Sequence, residues 1–438
     1  MARSITRAIA AFAVLAIVLA ACSGTTSGGP SGSAAGGGAK PVYGGSVTFA
    51  MNSDISNMDP LLSGLFVDRH LMYAMYDSLV RVNPKGDIIP WLATKWTISP
   101  DGKTYTFNLR TDVKYQDGTP FDAASAKWNL DRYRLTKGSL RLGELAPIDS
   151  VTVVDQYTLR LDLKAPSAPL LSVLVDRSGM MLSQKAVEAG GADFNRKAFK
   201  AGSGPFILTE AVKDDHYTFV KNPNWWGKAA NGDKLPYLDT VIIKPITDGD
   251  VRLTNVRTGQ VQATNVVTGK DVPTVKNDPN LVYQEVAGLG YNSLVPNRSP
   301  GFIFNEKRYV QAVSYAMDRD ELLNKGPAQG VGQVGYGPIA PSQFAYDPNF
   351  KPFAKPDIAK AKQLVADVGK GPLTFELLVS SGDAATLQFA QLLQSQLAKA
   401  DITMDIKTLL FNEIVKLQQD HKQTGMTLIG WSGRTDPD

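Results

Sequence analysis

The 438-residue sequence contains a single cysteine, Cys22, and only three histidines, His70, His216 and His421. One cysteine can form no internal disulfide, so the folded part must depend on a packed core. The histidines lie far apart, and none has a metal-ligand spacing to another histidine or to the cysteine. No Gly-x-Ser-x-Gly motif follows a predicted strand. These absences disfavour a metalloenzyme and a serine hydrolase, and they predict no catalytic residue, metal or cofactor.

A strong charge of one sign is also absent. The formal net charge is +4, and removal of Arg3 and Arg7 with the N-terminal segment lowers it to +2. The basic residues are scattered, so nucleic-acid binding by bulk electrostatics is not expected. With 43% hydrophobic residues, the roughly 400 residues after position 40 can build more than one domain.

Residues 1–21 are predicted to be an export signal. Arg3 and Arg7 form a basic start, and residues 8–21 contain no polar side chain. This run is shorter than the roughly 20 apolar residues that a membrane-spanning helix needs. Residues 19–22, Leu-Ala-Ala-Cys, are similar to the bacterial lipobox, whose cysteine is acylated. We therefore expect Cys22 to carry a lipid that anchors the protein to the outer face of the cell membrane.

Residues 22–40 are predicted to be a flexible tether. From position 23 to 39 the chain contains almost only Ser, Gly, Thr, Ala and one Pro, which is too little apolar surface to fold.

The remaining sequence alternates between strand and helix patterns. A Pro-Asp-Gly turn at 100–102 separates two alternating segments and predicts a β-hairpin, and Asp122 is placed to cap a helix. Strands are predicted at 45–50, 150–154, 158–163, 206–210, 217–221, 240–246, 373–380 and 402–409. Helices are predicted at 61–80, 123–134, 308–324, 357–368 and 384–400.

Several motifs in order resemble the family 5 extracellular solute-binding proteins of ABC importers, which include oligopeptide-, dipeptide-, nickel- and glutathione-binding receptors. Each motif is weak alone, and their order and spacing carry the resemblance. They are Trp-Leu-Ala-Thr-Lys-Trp at 91–96, Tyr-Thr-Phe-Asn-Leu-Arg at 105–110, Tyr-Gln-Asp-Gly-Thr-Pro-Phe at 115–121, Gly-Ser-Gly-Pro-Phe at 202–206, Asn-Pro-Asn-Trp-Trp at 222–226, and the segments 308–319 and 429–438.

The resemblance implies a mixed α/β, two-lobed clamshell of the type II, cluster C-like kind, with an extra small β-rich domain. The solute would lie between the lobes, and closure on it would be read by the importer. The expected boundaries are 41–78 and 200–270 for the first lobe, 79–199 for the β-rich domain, and 271–438 for the second lobe. Members of the family continue beyond the segment that matches 430–438, so we expect the second lobe to be incomplete.

The resemblance also suggests residues that hold the solute. Where peptide receptors of the family carry an aspartate for the peptide ammonium, this sequence has Arg434, whose guanidinium suits a carboxylate or phosphate. An anionic group on the solute is therefore favoured. The alternative is a loop ion pair between Arg434 and Asp436 or Asp438. Trp431 is expected either to stack on the solute or to pack in the core.

The predicted solute site consists of Arg434, Trp431, Asp436, Tyr291, Asn52 and Asp54. The last three are included because each lies where a strand gives way to a loop that faces the family's cleft. A turn or core role is equally open for all three. The expected partners are a peptide or small-molecule solute, ABC permease subunits and the membrane through the lipid on Cys22, with no nucleic acid and a monomeric receptor.

Two other functions stay open at this point. An exported lipid-anchored hydrolase would need paired carboxylates, which no sequence with 42 acidic residues excludes. A surface sensor lipoprotein could use ligand-driven closure of the same fold. Nickel uptake is not favoured by three dispersed histidines.

Overall fold

In the part of the chain that the computed structural model describes, residues 41–286, 288–381, 384–431 and 433, the buried apolar side chains form two separate cores. One core takes its buried residues from 51–243 and the other from 304–426. Each core lies against its own main sheet. We call the two parts the larger lobe and the smaller lobe.

The larger lobe is built on a five-stranded sheet of order β11-β1-β10-β9-β8. Strand β1 runs parallel to β10 and β11, whereas β9 is antiparallel to β8 and β10. The strands are β1 (Ser46–Met51), β8 (Phe206–Val212), β9 (His216–Lys221), β10 (Thr240–Pro245) and β11 (Ala263–Thr264). Six strand predictions in this lobe agree with observed strands within about two residues at each end: 45–50, 150–154, 158–163, 206–210, 217–221 and 240–246.

A second sheet of the larger lobe has the order β4-β5-β7-β6. Alternate side chains of its two middle strands point into the core, among them Phe107 and Leu161, both fully buried. The hairpin around the Pro-Asp-Gly turn is confirmed, and Gly102 there has the left-handed φ of +68°. The strands are β4 (Ala93–Ile98), β5 (Thr104–Leu109), β6 (Ile148–Asp155) and β7 (Thr158–Leu163), beside the ribbon of β2 (Val80–Val82) and β3 (Ile88–Pro90).

Helices of the larger lobe pack beside these sheets. The predicted cap is confirmed, because the Asp122 carboxylate accepts a hydrogen bond of 2.9 Å from the Ser125 amide. The helices are α1 (Phe66–Met75), α2 (Ala123–Leu135), α3 (Leu170–Val175), α4 (Gln184–Gly190) and α5 (Gly249–Arg257), and the short helix α6 (Val272–Lys276) follows in the chain. The predicted helix over 61–80 was too long. The Asp59 carboxylate binds the Leu61 amide in a preceding turn, and the chain continues into β2 after the helix.

The Gly-Ser-Gly-Pro turn lies against the end of α1. A Cβ on Gly202 would stand 1.8 Å from the Met75 carbonyl oxygen, and one on Gly204 would stand 2.6 Å from it. No side chain fits at this distance, so both positions require glycine. The Gln116 side chain closes the junction by donating to the carbonyls of Met75, Gly204 and Phe206.

The Trp pair of the 222–226 motif lies in the core region of the larger lobe. Trp225 and Trp226 both donate from Nε1 to the buried Asp77 carboxylate, at 3.3 and 3.2 Å, and Trp91 donates to it at 2.7 Å. This buried carboxylate is therefore satisfied by three indoles and the Ser203 hydroxyl. The two tryptophans have a structural role.

The smaller lobe has a four-stranded sheet of order β12-β15-β13-β14, in which β13 is parallel to β14 and β15. Its strands are β12 (Tyr291–Pro296), β13 (Thr374–Ser380), β14 (Thr403–Leu409) and β15 (Met426–Trp431). Its helices are α7 (Lys307–Ala316), α8 (Arg319–Lys325), α9 (Ile358–Val368), α10 (Ala384–Ala398) and α11 (Phe411–Gln419).

The single helix predicted over 308–324 is divided into α7 and α8. Met317 and Asp318 have extended backbones, and the Asp318 carboxylate accepts a 2.9 Å hydrogen bond from the Glu321 amide. The Gln396 side chain holds the break by accepting from the Asp318 amide and donating to its carbonyl. An aspartate in the middle of a helical pattern thus acts as an N-cap.

The predicted export signal, Cys22 and the tether lie outside the described residues. Among the described residues, no helix combines the length and apolar character that a membrane crossing needs. The predicted domain boundaries stay predictions. In the larger lobe, one continuous core joins both sheets.

Candidate functional site

A large cavity lies between the two lobes, with a volume of about 2000 Å³. The larger lobe supplies one wall, for example Leu65 and Tyr217, and the smaller lobe supplies the other, for example Tyr291 and Val415. Pockets for drug-sized ligands have volumes of roughly 300–1,000 Å³. This cavity can therefore enclose a solute of several residues.

The charged side chains on the described walls are mostly basic. Two acidic residues, Glu144 and Asp176, are accompanied by seven basic ones. Four of the seven lie in ion pairs: Arg141 with Glu144, Arg177 with Asp176, Lys213 with Asp214 and Lys416 with Asp420. The excess therefore comes from Arg196, Lys197 and Arg298, which both lobes supply, and it favours an anionic solute in the cleft. The basic residues are Arg141, Arg177, Arg196, Lys197 and Lys213 of the larger lobe and Arg298 and Lys416 of the smaller lobe.

Trp431 and Tyr291, two of the predicted site residues, both line the cavity. They are opposite each other in the antiparallel pairing of β12 with β15. The Trp431 Nε1 donates a 2.8 Å hydrogen bond to the Ser293 hydroxyl, and the side chain stays 43% exposed. Trp431 thus lies at the cavity wall and not in the core of the smaller lobe. Its indole is held in place and remains available to a solute.

Asn52 and Asp54 do not belong to the cavity lining. Asn52 accepts a 2.8 Å hydrogen bond from the Asn265 side chain. The Asp54 carboxylate accepts from the Tyr217 hydroxyl at 2.6 Å and from the Asp214 amide at 2.9 Å. Both side chains therefore hold turns of the larger lobe. That Asn52 and Asp54 contact a solute stays a prediction.

Tyr217 is the residue of this turn network that lines the cavity. Burial, followed by the hydrogen bond to Asp54 and the charge of that carboxylate, raises the pKa of Tyr217. The phenol is therefore protonated and donates to Asp54 at neutral pH.

Arg434 and Asp436, the other predicted contacts, lie outside the described residues. Sequence reasoning missed two arginines of the larger lobe, Arg141 and Arg177, which are 4% and 5% exposed and line the cavity. A signal for Arg177 was present: Asp176 and Arg177 interrupt the apolar segment 170–182. Charged residues in such a segment are buried only with partners or for function.

The two arginines belong to a buried polar network. Arg69 donates to Asp176 at 2.9 Å, and Arg141 donates to Glu144 at 2.8 Å. Burial is the largest effect on the Arg177 guanidinium and lowers its pKa. The negative charge of Asp176 raises this pKa, whereas the positive charges of Arg141 and Arg69 lower it further. The guanidinium nevertheless stays charged at neutral pH.

The described residues contain no group of three or more His, Cys, Asp or Glu side chains placed to hold a metal ion. The rest of the wall combines apolar side chains with the basic ones, including Leu62, Leu140, Leu289 and Phe411. Such a lining binds an organic solute through apolar contact and charge.

Two lobes that enclose a large cleft between them define a solute-binding protein of the periplasmic type. The chain belongs to the bacterial extracellular solute-binding proteins, family 5: residues 87–438 match the profile of the family's middle part. The family resemblance and the absence of an enzymatic function, both predicted from sequence, are confirmed by this match and by relatives that are named as binding proteins.

Curated relatives include the glutathione-binding protein GsiB of Salmonella paratyphi A, which is 28% identical over 397 residues. The alignment covers 89% of this chain and 75% of the relative. GsiB of Escherichia coli K12 is 26% identical with the same coverage.

Solved structures confirm the predicted fold class. The binding protein DppA of Helicobacter pylori, in complex with the peptide STSA, has a TM-score of 0.81 and 27% identity, covering 91% of this chain and 80% of that one. AgaA of A. tumefaciens R10, in complex with agropinic acid, has a TM-score of 0.79 and 25% identity, covering 90% and 78%. The oligopeptide-binding protein AppA of Bacillus subtilis shares the fold with a TM-score of 0.80, 23% identity, and 91% and 81% coverage.

Proposed function

We propose that this chain is the lipid-anchored, monomeric receptor of an ABC importer. It binds a peptide or peptide-like solute with an anionic group between its lobes and delivers it to the membrane permease. The observation that carries the proposal is the interlobe cavity of about 2000 Å³, whose charged lining residues, among those described, are mostly basic. Membership of the extracellular solute-binding proteins supports the transport role.

The names of similar proteins support the class of solute. GsiB is a glutathione-binding protein, DppA was solved with a four-residue peptide and AgaA with agropinic acid. A peptide or peptide-like solute would fill a cavity of this size, and its carboxylates would neutralise the excess positive charge of the walls.

Calorimetry and thermal unfolding of the purified full-length protein test this function. The probes are glutathione, the peptide Ser-Thr-Ser-Ala and agropinic acid, with free amino acids and a neutral sugar as comparison. A bound solute at a hundredfold excess over its Kd adds about 2.7 kcal/mol to the free energy of unfolding. Stabilisation by an acidic peptide-like probe supports the proposal, whereas turnover of a probe or stabilisation only by the sugar contradicts it.

Anchoring through Cys22 is tested separately in cells. We expect the wild-type protein to incorporate labelled fatty acid and to sediment with membranes, because an acyl chain adds about 0.8 kcal/mol per buried CH₂. Cys22→Ala should abolish the label. Equal labelling of both forms would contradict the lipid attachment at Cys22. Delivery to a permease predicts that deletion of the gene abolishes uptake of the solute that binds in vitro.

A further inference from the structure

Arg177 is a buried cation on the cavity wall that is held by neutral acceptors. Its Nη1 donates to the main-chain carbonyls of Ser63 and Leu65, at 3.2 and 3.3 Å, and to the Ser63 hydroxyl at 3.2 Å. Its Nε lies 3.7 Å from Oδ1 of Asp176, which is an ion-pair distance and too long for a hydrogen bond. The Nε makes no hydrogen bond to any described residue.

Arg141 lies beside Arg177, because both guanidinium groups donate to the same carbonyl oxygen of Ser63. The distance from Arg141 Nη2 is 3.1 Å. Its Nη1 donates to Glu144, and its Nε also lacks a hydrogen-bond partner among the described residues. Two like charges are thus held close together in a buried position, which is unfavourable without anionic compensation.

The carboxylates of the network are engaged by other groups. Asp176 receives a hydrogen bond from Arg69, and Glu144 receives one from Arg141 and one from the Ser178 hydroxyl. A third buried carboxylate, Asp68, accepts hydrogen bonds from the Ser63 hydroxyl and the Leu65 amide. The described network therefore has three arginines and three carboxylates. Within this network the Nε atoms of Arg141 and Arg177 lack a hydrogen-bond partner among the described residues, and both arginines line the cavity. Buried donors of this kind at a cavity wall are candidates for ligand binding.

Another buried arginine shows how a purely structural guanidinium is held. Arg252 is 3% exposed and donates to the carbonyls of Ile246, Thr247 and Val266, but it does not line the cavity. Neutral acceptors alone therefore do not define a ligand site. What distinguishes Arg177 is its place on the cavity wall next to a second buried arginine.

We propose that Arg141 and Arg177 form a subsite that binds a carboxylate of the solute on the wall of the larger lobe. The planar guanidinium suits the two oxygens of a carboxylate, and the adjacent Leu62, Leu65 and Leu140 reduce screening by water. The subsite rests on the proposed function and deepens it: the solute has a carboxylate next to an aliphatic part.

The test combines one side-chain change with one change in the probe. The probes are glutathione, glutathione with each of its carboxylates converted in turn to a carboxamide, and Ser-Thr-Ser-Ala with a free or amidated C-terminus. Full-length wild type and Arg177→Gln are compared by calorimetry. We expect Arg177→Gln to weaken binding of the free acid by about tenfold or more, while one amidated probe binds both proteins with similar affinity.

Arg252→Gln is the matched control, because it removes an equally buried arginine away from the cavity. It should leave the affinity for all probes unchanged. If Arg177→Gln does not fold by circular dichroism, Arg177→Lys takes its place, and loss of the planar fork should still weaken binding of the acid alone.

Equal weakening of the acid and every amide by the Arg177 variant, or no weakening at all, overturns the subsite and leaves the receptor function standing. If no probe binds the wild type, the proposed function fails, and the subsite fails with it. The two failures are therefore distinguished by the wild-type titration.

Discussion

Tyr291 and Trp431 lie directly opposite each other on two antiparallel strands, and both line the cavity between the lobes. The Trp431 indole is oriented by its hydrogen bond to Ser293. An aromatic group that is fixed but 43% exposed provides a flat apolar surface for a solute. The end of the β12–β15 strand pair thus places two aromatic side chains at the cavity wall of the smaller lobe.

Trp431→Ala should weaken solute binding by about tenfold, because a stacking contact contributes about 0.5–1.5 kcal/mol beyond the area it buries. The half-exposed side chain contributes little to the core, so thermal stability should change little. Calorimetry and thermal unfolding measure the two effects. Trp96→Phe, on a strand outside the cavity, serves as the control. An affinity within a factor of two of wild type would exclude Trp431 from the binding surface.

Association of an acidic solute should depend strongly on ionic strength. The seven basic side chains on the described walls attract an anion over a Debye length, which falls from about 30 Å at 0.01 M salt to about 3 Å at 1 M. We expect the association rate constant to fall about tenfold over this range, measured by stopped-flow fluorescence. The amidated form of the same probe is the control. An equal salt effect on both probes would show that the basic walls do not steer the solute.

The local fold could be predicted well where neighbouring residues determine it. The Pro-Asp-Gly hairpin and the Asp122 cap depend on a few consecutive residues, and both are confirmed. The break between α7 and α8 was missed because it depends on Gln396, which is distant in sequence and holds the Asp318 backbone. Long-range hydrogen bonds of this kind leave no periodic signal.

The candidate site was predicted only in part for the same reason. Trp431 was predicted from the family segment 429–438, and Tyr291 from its place where a strand gives way to a loop facing the family's cleft; both line the cavity. The Arg141 and Arg177 pair is created by tertiary structure, because both side chains meet at the carbonyl of Ser63, 78 and 114 residues away along the chain. Neither spacing nor composition brings these two arginines together.

The ion pair between Asp59 and Arg132 should be a major contributor to the stability of the larger lobe. Arg132 binds the Asp59 carboxylate through two nitrogens, with Nη1 at 2.9 Å, and the two side chains are 17% and 6% exposed. Asp59 opposes the effect of burial and raises the pKa of Arg132. Arg132→Ala should lower the free energy of unfolding by about 3–5 kcal/mol, because it leaves a buried carboxylate without its partner.

Urea unfolding measures this loss, and the double variant Asp59→Leu with Arg132→Leu is the informative comparison. Replacement of both charges by apolar groups should cost less than the single change. Arg160→Gln removes a more exposed arginine that is paired with Asp162 and should change stability by less than about 1 kcal/mol. A loss below about 1 kcal/mol for Arg132→Ala would show that the pair is not a stabilising element.

His216 should make the β8–β9 hairpin more stable at acidic pH. Its Nε2 lies 3.0 Å from Glu210 and its Nδ1 lies 2.9 Å from Asp215, so hydrogen bonds to the two carboxylates raise the pKa of His216 above 6.5. Because the folded-state pKa is raised, the stabilisation is fully present below pH 6.5 and is lost as the pH rises through the folded pKa.

An NMR titration of the His216 ring should therefore give a midpoint above 6.5. The free energy of unfolding of wild type should decrease over the same pH interval relative to His216→Gln. Glu210→Gln removes the larger of the two contributions and should move the His216 midpoint back towards 6.5. A midpoint at or below 6.5 in wild type would mean that the carboxylates do not hold the imidazolium in solution, and the hairpin would then show no such pH dependence.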